Sequence, residues 1–294
     1  MSGRRLYRWL ERLPVIRQLV ETAETSRQTL QRLDGLYRIA AEDFVRRLVS
    51  TPRYADPRKL NRCERQIHSQ SGEDGILEEI FSRIGVGVRS FVEFGAGDGT
   101  ANNTIALLDR GWSGLWIEAG GEKNALLRAS YAPEIAEGRL NLLPDLVTAE
   151  NVEALFRRAA VPLEPDLLSI DIDSNDYWVW KAVVGFRPRV VVIEYNAIYP
   201  PKTEWVRAYD PRARWDGTSY FGASLKSLEL LGASKGYGLV GCTLSGVNAF
   251  FVRQDLLGDL FCEPYTAENH YEPPRYHLVH VSGFPRRRGP SAPG

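Results

Sequence analysis

The sequence predicts an α/β fold. It is a Rossmann-like seven-stranded sheet of five parallel strands plus a C-terminal antiparallel hairpin, preceded by an N-terminal helical extension. Three observations predict it. Short apolar runs alternate with helical stretches across residues 63–255, the pattern of a parallel sheet with helices on both faces. The first run, Ser90–Phe94, ends in a glycine loop. The last two, Tyr237–Gly241 and Val247–Val252, are joined by the turn residues Thr243–Gly246 and should pair antiparallel.

The remaining elements follow in order. Residues 1–60 carry apolar positions at helical spacing: Leu6, Trp9, Leu10, Leu13, Ile16, Leu19 and Val20, then Leu30, Leu33, Tyr37, Ala40, Phe44 and Leu48. Pro14 divides this extension into a short first helix and a longer second one. Residues 51–62, with Pro52, Pro57 and several charges, read as a linker. Residues 61–255 form the main domain. Within it, Leu115–Glu118, Leu140–Leu143, Leu167–Ile172 and Val190–Glu194 read as strands two to five. Ala149–Ala159, Tyr177–Val184 and Ser224–Leu231 read as helices. Residues 256–294 are a loop-rich segment with Pro273–Pro274 and a tail, Pro285–Gly294. There is no internal repeat.

Composition narrows the function classes. A chain of 294 residues, 44% hydrophobic, suits one α/β domain with extra material, or at most two domains. Zero formal net charge gives no electrostatic case for nucleic acid. Cys63, Cys242 and Cys262 are odd in number and scattered, which fits reduced thiols in a cytoplasmic protein rather than a disulfide framework or a zinc site. No apolar run of about 18 residues is present to span a membrane. Glu11, Arg12, Arg17 and Glu21 break up any signal-peptide core. Eleven arginines against six acids leave residues 1–53 with an excess of positive charge. Three roles are open to the extension: packing on its own domain or on a second subunit of a homo-oligomer, peripheral contact of residues 1–50 with the anionic inner face of a membrane, or a solvated helix.

The loop after strand one carries the chemistry. Phe91-Val-Glu-Phe-Gly-Ala-Gly-Asp-Gly-Thr100 places glycines at 95, 97 and 99, where the backbone turns sharply and lies close to a ligand. Dinucleotide loops are spaced GxGxxG and receive an anionic pyrophosphate. Here the spacing is GxGxG, with Glu93 and Asp98 alongside. Two carboxylates gain nothing beside a pyrophosphate, but they suit a cationic sulfonium bearing an α-amino group. The charge pattern therefore favours S-adenosyl-L-methionine over NAD. Glu118, 19 residues past Gly99 at the end of strand two, is placed to accept both ribose hydroxyls. Asp145 and Leu146, after strand three, are placed to meet the edge and face of the adenine.

These residues resemble the FkbM-like family of class I S-adenosylmethionine-dependent methyltransferases. The segment Glu93–Thr104, closed by Asn103 and Thr104, resembles that family's loop. Ser69-Gln-Ser-Gly-Glu-Asp-Gly-Ile-Leu77 resembles its entry segment, and Ser169-Ile-Asp-Ile-Asp-Ser-Asn-Asp-Tyr177 its strand-four acidic motif. The resemblance covers residues 66–255. Five parallel strands followed by a hairpin is the sheet such enzymes have. The resemblance implies O-methylation of a sugar or another small natural product. It also implies a cofactor bordered at its methionine end by Gln70 and Ser71, lined by Glu93, Gly95, Ala96, Gly97 and Asp98, and held at the ribose by Glu118.

A second acidic group lies at the carboxyl ends of strands four and five: Asp171, Asp173, Glu194 and Asn196. In an open α/β sheet these ends face the ligand crevice. Their oxygens suit Mg²⁺ or another divalent cation, with Asp171, Glu194 and Asn196 as ligands. Alternatively Asp171, Asp173 or Glu194 acts without metal as general base or substrate anchor, or the group is a structural network. The arrangement is similar to that of metal-dependent catechol-type O-methyltransferases. It departs from them at Ser174, where they carry lysine, and at Tyr195, which separates an acid and an asparagine that are adjacent in those enzymes. Carboxylates this close should have perturbed pKa values.

The irregular, aromatic stretch Tyr199–Phe221 reads as a functional loop, with ring-on-sugar stacking as one role and a lid as the other. His68, His270, His277 and His280 read as loop or core residues. Two rival functions share the fold pattern: an NAD-dependent oxidoreductase, and a non-catalytic scaffold assembled through the helical arm.

Overall fold

A computed structural model describes residues 14–278. The described residues divide into two compact units, one ending at Leu48 and the other beginning at Val49. The helix α1 spans Pro14–Val49. The short helix read before it, with Leu6, Trp9, Leu10 and Leu13, lies outside the described residues. Ion pairs one turn apart, Asp34–Arg38 at 3.2 Å and Asp43–Arg47 at 2.9 Å, support α1, while Leu30, Leu33, Leu36 and Ile39 are exposed on it. Among the described residues no helix is long and apolar enough to cross a membrane.

The second unit is built on a seven-stranded sheet. Its strands are β1 (Ser90–Phe94), β2 (Ser113–Ile117), β3 (Leu140–Leu143), β4 (Leu167–Ile170), β5 (Val190–Glu194), β6 (Tyr237–Cys242) and β7 (Asn248–Arg253). The spatial order is β3-β2-β1-β4-β5-β7-β6. Strands β1 to β5 pair in parallel, and β7 runs antiparallel to both β5 and β6. This is the sheet predicted from the sequence. The central strands are mostly apolar because helices cover both faces. Val190, Val191, Val192 and Ile193 of β5 are fully buried, as are Leu167 and Leu168 of β4.

The helices of this unit are α2 (Glu73–Ile84), α3 (Ile105–Asp109), α4 (Gly121–Ser130), α5 (Ala132–Ala136), α6 (Val152–Arg158), α7 (Asp176–Ala182), α8 (Leu225–Ser234) and α9 (Ala267–His270). Ser224 caps α8 by accepting the Ser227 amide hydrogen, which explains where that helix begins. Two apolar clusters sandwich the sheet. One contains Phe94, Phe156, Trp180 and Phe251; the other contains Phe91, Trp116, Phe250 and Phe261.

Residues 51–62 do not form a linker, although their prolines and charges suggest one. Pro52–Tyr54 and Leu60–Cys63 are 3₁₀ turns, and Tyr54, Leu60 and Asn61 are buried. The Tyr54 hydroxyl donates to Glu272, and Lys59 Nζ donates to the carbonyl and side chain of Asn269. The loop-rich segment from 256 is thereby held against the sheet, with Phe261, Ala267 and Leu278 buried. The tail read at 285–294 lies outside the described residues.

Candidate cofactor and active site

The strand β1 turns into its glycine loop at Gly95, whose φ of 69° lies in the left-handed region. A Cβ at this position would overlap the carbonyl oxygen of Asp171. Glycine is thus required so that the β1 loop can lie against the end of β4. Gly97 is also left-handed, at 58°, but the space around it is open, with no heavy atom nearer than 3.9 Å to a Cβ there.

Two cavities open at this loop. A smaller one, about 170 Å³, is lined by Gln70, Glu93, the 95–98 backbone, Asn103, Asp171 and Asn248. A wider one, about 390 Å³, is lined by Glu118, Lys123, Asp145, Leu146, Ile172, Asp173 and Trp215 among others. Gly95 and Asp171 line both. The two together fall within the 300–1,000 Å³ usual for small-molecule sites. Their position, outside the carboxyl ends of β1, β2 and β4, is where open α/β sheets hold ligands.

Most of the residues singled out in the sequence meet here, with different duties. Glu93 lines the small cavity, yet both of its oxygens are engaged. It accepts the Asn103 amide at 2.8 Å, and the Thr104 hydroxyl on the other oxygen. Burial pushes its carboxyl up to about 7, against the lowering effect of those two donors. Thr104 is fully buried and accepts Trp116 Nε1 at 2.7 Å, so it braces the loop and does not face the cavity. Asn103 donates to Ser169 at 3.0 Å. Ser71 is buried and does not line the cavity either; its amide donates to Glu73 at 2.8 Å. Asp98 accepts the Thr100 hydroxyl at 2.6 Å and shapes the loop.

Glu118 sits at the junction of β2 with the wide cavity. One oxygen accepts the Gly97 amide at 2.9 Å and the other the Gly120 amide at 2.7 Å, which fixes the carboxylate across the loop. Each oxygen keeps a lone pair for a further donor. Asp145 reaches the same cavity but is paired with Arg158. Leu146 is 45% exposed beside it.

The acidic group differs from its sequence reading. Asp171, Asp176 and Glu194 bring carboxylate oxygens within 4.8 Å of one another. Asp173 lies outside this trio. It is exposed, with a φ of 63°, on the wide cavity near Lys123. Asn196 is engaged by the loop after β5: its Nδ2 donates to the Ser219 and Phe221 carbonyls, and its Oδ1 accepts the Ile198 amide at 3.3 Å. The strand ends at Glu194, and the two-residue alternation that would put Asn196 beside it ends there too. Asp176 takes its place. Its oxygens accept the Ile172 and Ser174 amides at 2.9 and 3.1 Å, folding the 171–176 turn back on itself.

Burial raises every carboxyl of the trio. Asp171 lies well above the ordinary range because of burial and the charges of Asp176 and Asp173. Glu194 does so because of burial and Asp171. Asp176 reaches about 7, held down in part by the Ile172 amide. Glu194 Oε2 is buried and has no hydrogen-bond partner. Burial of three neighbouring carboxyls thus favours their protonated forms.

Several cavity residues escaped the sequence reading as site residues, among them Asn102, Lys123, Arg214, Trp215 and Asn248. Trp215 is 55% exposed at the wide cavity, its Nε1 donating to the Thr218 carbonyl at 2.7 Å. Asn248 of β7 is 2% exposed and lines the small one. Among the histidines, His270 is buried against the Cys262 carbonyl at 3.0 Å and pushed down to about 3 by burial, which removes it as a base at neutral pH. His68 pairs with Asp109 at 3.1 Å, and His280 lies outside the described residues.

No family model and no curated protein matches the chain. Solved structures do. Magnesium protoporphyrin IX methyltransferase from Synechocystis PCC 6803, with bound S-adenosylmethionine, is similar at 12% identity over 62% of this chain and 77% of that one, with a TM-score of 0.40. An S-adenosylmethionine-dependent methyltransferase from Clostridium acetobutylicum is similar at 11% identity over 62% and 90%, with a TM-score of 0.36. An O-methyltransferase family protein from Burkholderia thailandensis is similar at 11% over 62% and 58%, with a TM-score of 0.37. The fold assignment rests on the strand order and on the single reversed strand, not on likenesses this distant.

Proposed function

We propose that the chain is an S-adenosylmethionine-dependent O-methyltransferase acting on a hydroxyl of a sugar, glycan or small natural product. The observation that supports this most is the acid-lined double cavity that folds around Gly95 and Asp171. Carboxylates at the glycine loop suit a sulfonium with an α-ammonium group and repel a pyrophosphate. In this reading the small cavity takes the amino-acid end of the cofactor. The wide one takes the nucleoside, with Glu118 accepting the ribose hydroxyls, Asp145 the adenine amino group, and Leu146 packing on the ring.

Methyl transfer is an in-line displacement. The acceptor oxygen forms a bond to the methyl carbon as the carbon–sulfur bond breaks. The sulfonium leaves as the neutral thioether of S-adenosylhomocysteine, and the hydroxyl proton passes to a carboxylate. Glu194 is suited to take it by way of Asp171, which lines both cavities and lies within 4.8 Å: its Oε2 is unpartnered and burial raises its carboxyl well above the ordinary range. Asp176, bonded to two backbone amides, orients the turn that carries Asp171. A divalent cation fits the same donors, since three carboxylates converge and one oxygen is orphaned. Asp171, Asp176 and Glu194 would hold it, and when bound it would lower the pKa of the acceptor hydroxyl. The exposed ring of Trp215 offers a face for a sugar or a base, whereas Tyr220 carries the Arg207 guanidinium over its ring and Trp205 is stacked on Tyr199 at 4.4 Å.

Trp215 belongs to the nucleoside end. Replacing it with alanine should weaken S-adenosylhomocysteine binding about tenfold, within the 1–3 kcal/mol range of base–aromatic stacking. The melting temperature should hardly move, because the ring is exposed. Equal affinity of Trp215→Ala and wild type by calorimetry would rule that contact out. The activity itself is tested by incubating the chain with methyl-labelled S-adenosylmethionine and a panel of sugars and phenols, with Mg²⁺ or with chelator. Labelled methyl ether on an acceptor is the expected product. Label transfer to none of them, with cofactor bound, would remove the transferase reading.

A further inference from the structure

Asn248 lies opposite Glu194 in the β5–β7 register, so the two side chains stand on one face of the sheet. It is almost completely buried, yet it is one of the residues that line the small cavity. Its Nδ2 donates to Glu73 Oε1 at 2.9 Å. Glu73, at the start of α2, is itself fully buried, and its other oxygen accepts the Ser71 amide. A carboxylate accepts and does not donate, so the NH₂ side of the Asn248 amide must face Glu73. The amide orientation is thus set by chemistry. Its carbonyl oxygen Oδ1 points away from Glu73, and that buried atom has no hydrogen-bond partner. Buried acceptors without partners are rare in folded proteins and call for an absent donor.

The donor's nature follows from the other walls. Asp171 and Glu93 also face this cavity, and both oxygens of Glu93 are already engaged by Asn103 and Thr104. No Lys, Arg or His lines this cavity, so a ligand carboxylate finds no cationic partner here, whereas an ammonium brings three donors to walls built of oxygen acceptors. We infer that Asn248, held in orientation by Glu73, accepts a hydrogen bond from the α-ammonium of the cofactor's amino-acid moiety. Asn248 is then a binding residue supplied by the reversed strand, and Glu73 a positioning residue. This inference rests on the cofactor reading proposed above.

Calorimetric titrations separate the two. Wild type and Asn248→Ala are each titrated with S-adenosylhomocysteine and with 5′-methylthioadenosine, which keeps the nucleoside thioether and lacks the amino acid. Asn248→Ala should bind S-adenosylhomocysteine at least tenfold more weakly and methylthioadenosine within twofold of wild type. Glu73→Gln, which can donate to Oδ1 and release the amide, should show the same selective loss in milder form. Equal S-adenosylhomocysteine affinity in wild type and Asn248→Ala overturns this inference alone. An equal loss for both ligands also overturns it, since that marks a general disturbance of the fold. Failure of wild type to bind S-adenosylhomocysteine overturns the cofactor reading, and this inference with it.

Discussion

Replacing Gly95 with valine should abolish measurable binding of S-adenosylhomocysteine, a loss of about a hundredfold or more. Two costs combine. The residue is left-handed, which costs a side chain with a Cβ about 1–2 kcal/mol. The Cβ also overlaps the Asp171 carbonyl oxygen, so the loop must swing away from β4. That movement separates the walls the two cavities share, since Gly95 and Asp171 line both. A loss of about 3 kcal/mol corresponds to two orders of magnitude in affinity. Gly97→Ala is the informative companion. It carries the backbone cost but has open space around its Cβ, so it should melt only a few degrees lower. The added methyl faces the small cavity and should still weaken the cofactor. If Gly95→Val bound S-adenosylhomocysteine as wild type does, the glycine loop would not be the cofactor loop.

Glu194→Gln should lower turnover by about 10²–10⁴, the usual worth of a general base, while S-adenosylhomocysteine affinity stays within a few fold. Glu194 borders neither cavity, whereas Asp171 lines both, so Asp171→Asn should damage binding as well as rate. The same residue has a stability signature. Its folded pKa is raised well above 4.5 by burial and by Asp171, so the folded state binds a proton there more tightly than the unfolded chain does. The resulting stabilisation is complete below about pH 4.5 and is lost as pH rises through the elevated value. Melting temperature should therefore fall with pH more steeply in wild type than in Glu194→Gln. Mg²⁺ should raise it more at pH 8 than at pH 5, because the trio is then ionised and free to hold a cation. Parallel pH profiles for the two proteins would show that Glu194 is not the raised acid.

Much of the fold was legible because its signals are local. The runs Ser90–Phe94, Leu140–Leu143 and Val190–Glu194 are mostly apolar and are bounded by turn residues, so their limits coincide with the strands. The sequence reading extends strand four two residues too far, to Ile172, because Asp171 and Ile172 continue the alternation, whereas Asp176 accepts the Ile172 amide there. What stayed hidden depends on contacts remote in sequence. Tyr54 is a core residue only because Glu272 receives its hydroxyl, and nothing between residues 51 and 62 announces that. Asp176 looks like an ordinary acid at a helix start until the turn brings it to Asp171 and Glu194. Asn248 sits in an apolar run whose register opposite Glu194 appears only once β7 is paired. The glycine loop and Glu118 needed no such information, since charge and spacing alone suggested a cationic ligand.

On the reading proposed above, the hollow after β1 holds a cationic methyl donor and not a dinucleotide. Titrating the purified chain with S-adenosylmethionine and, separately, with NADH in a calorimeter separates these two ligands. Saturable heat with S-adenosylmethionine, lost in Gly95→Val, and none with NADH is expected. Saturable binding of NADH, or no heat from S-adenosylmethionine, would contradict it.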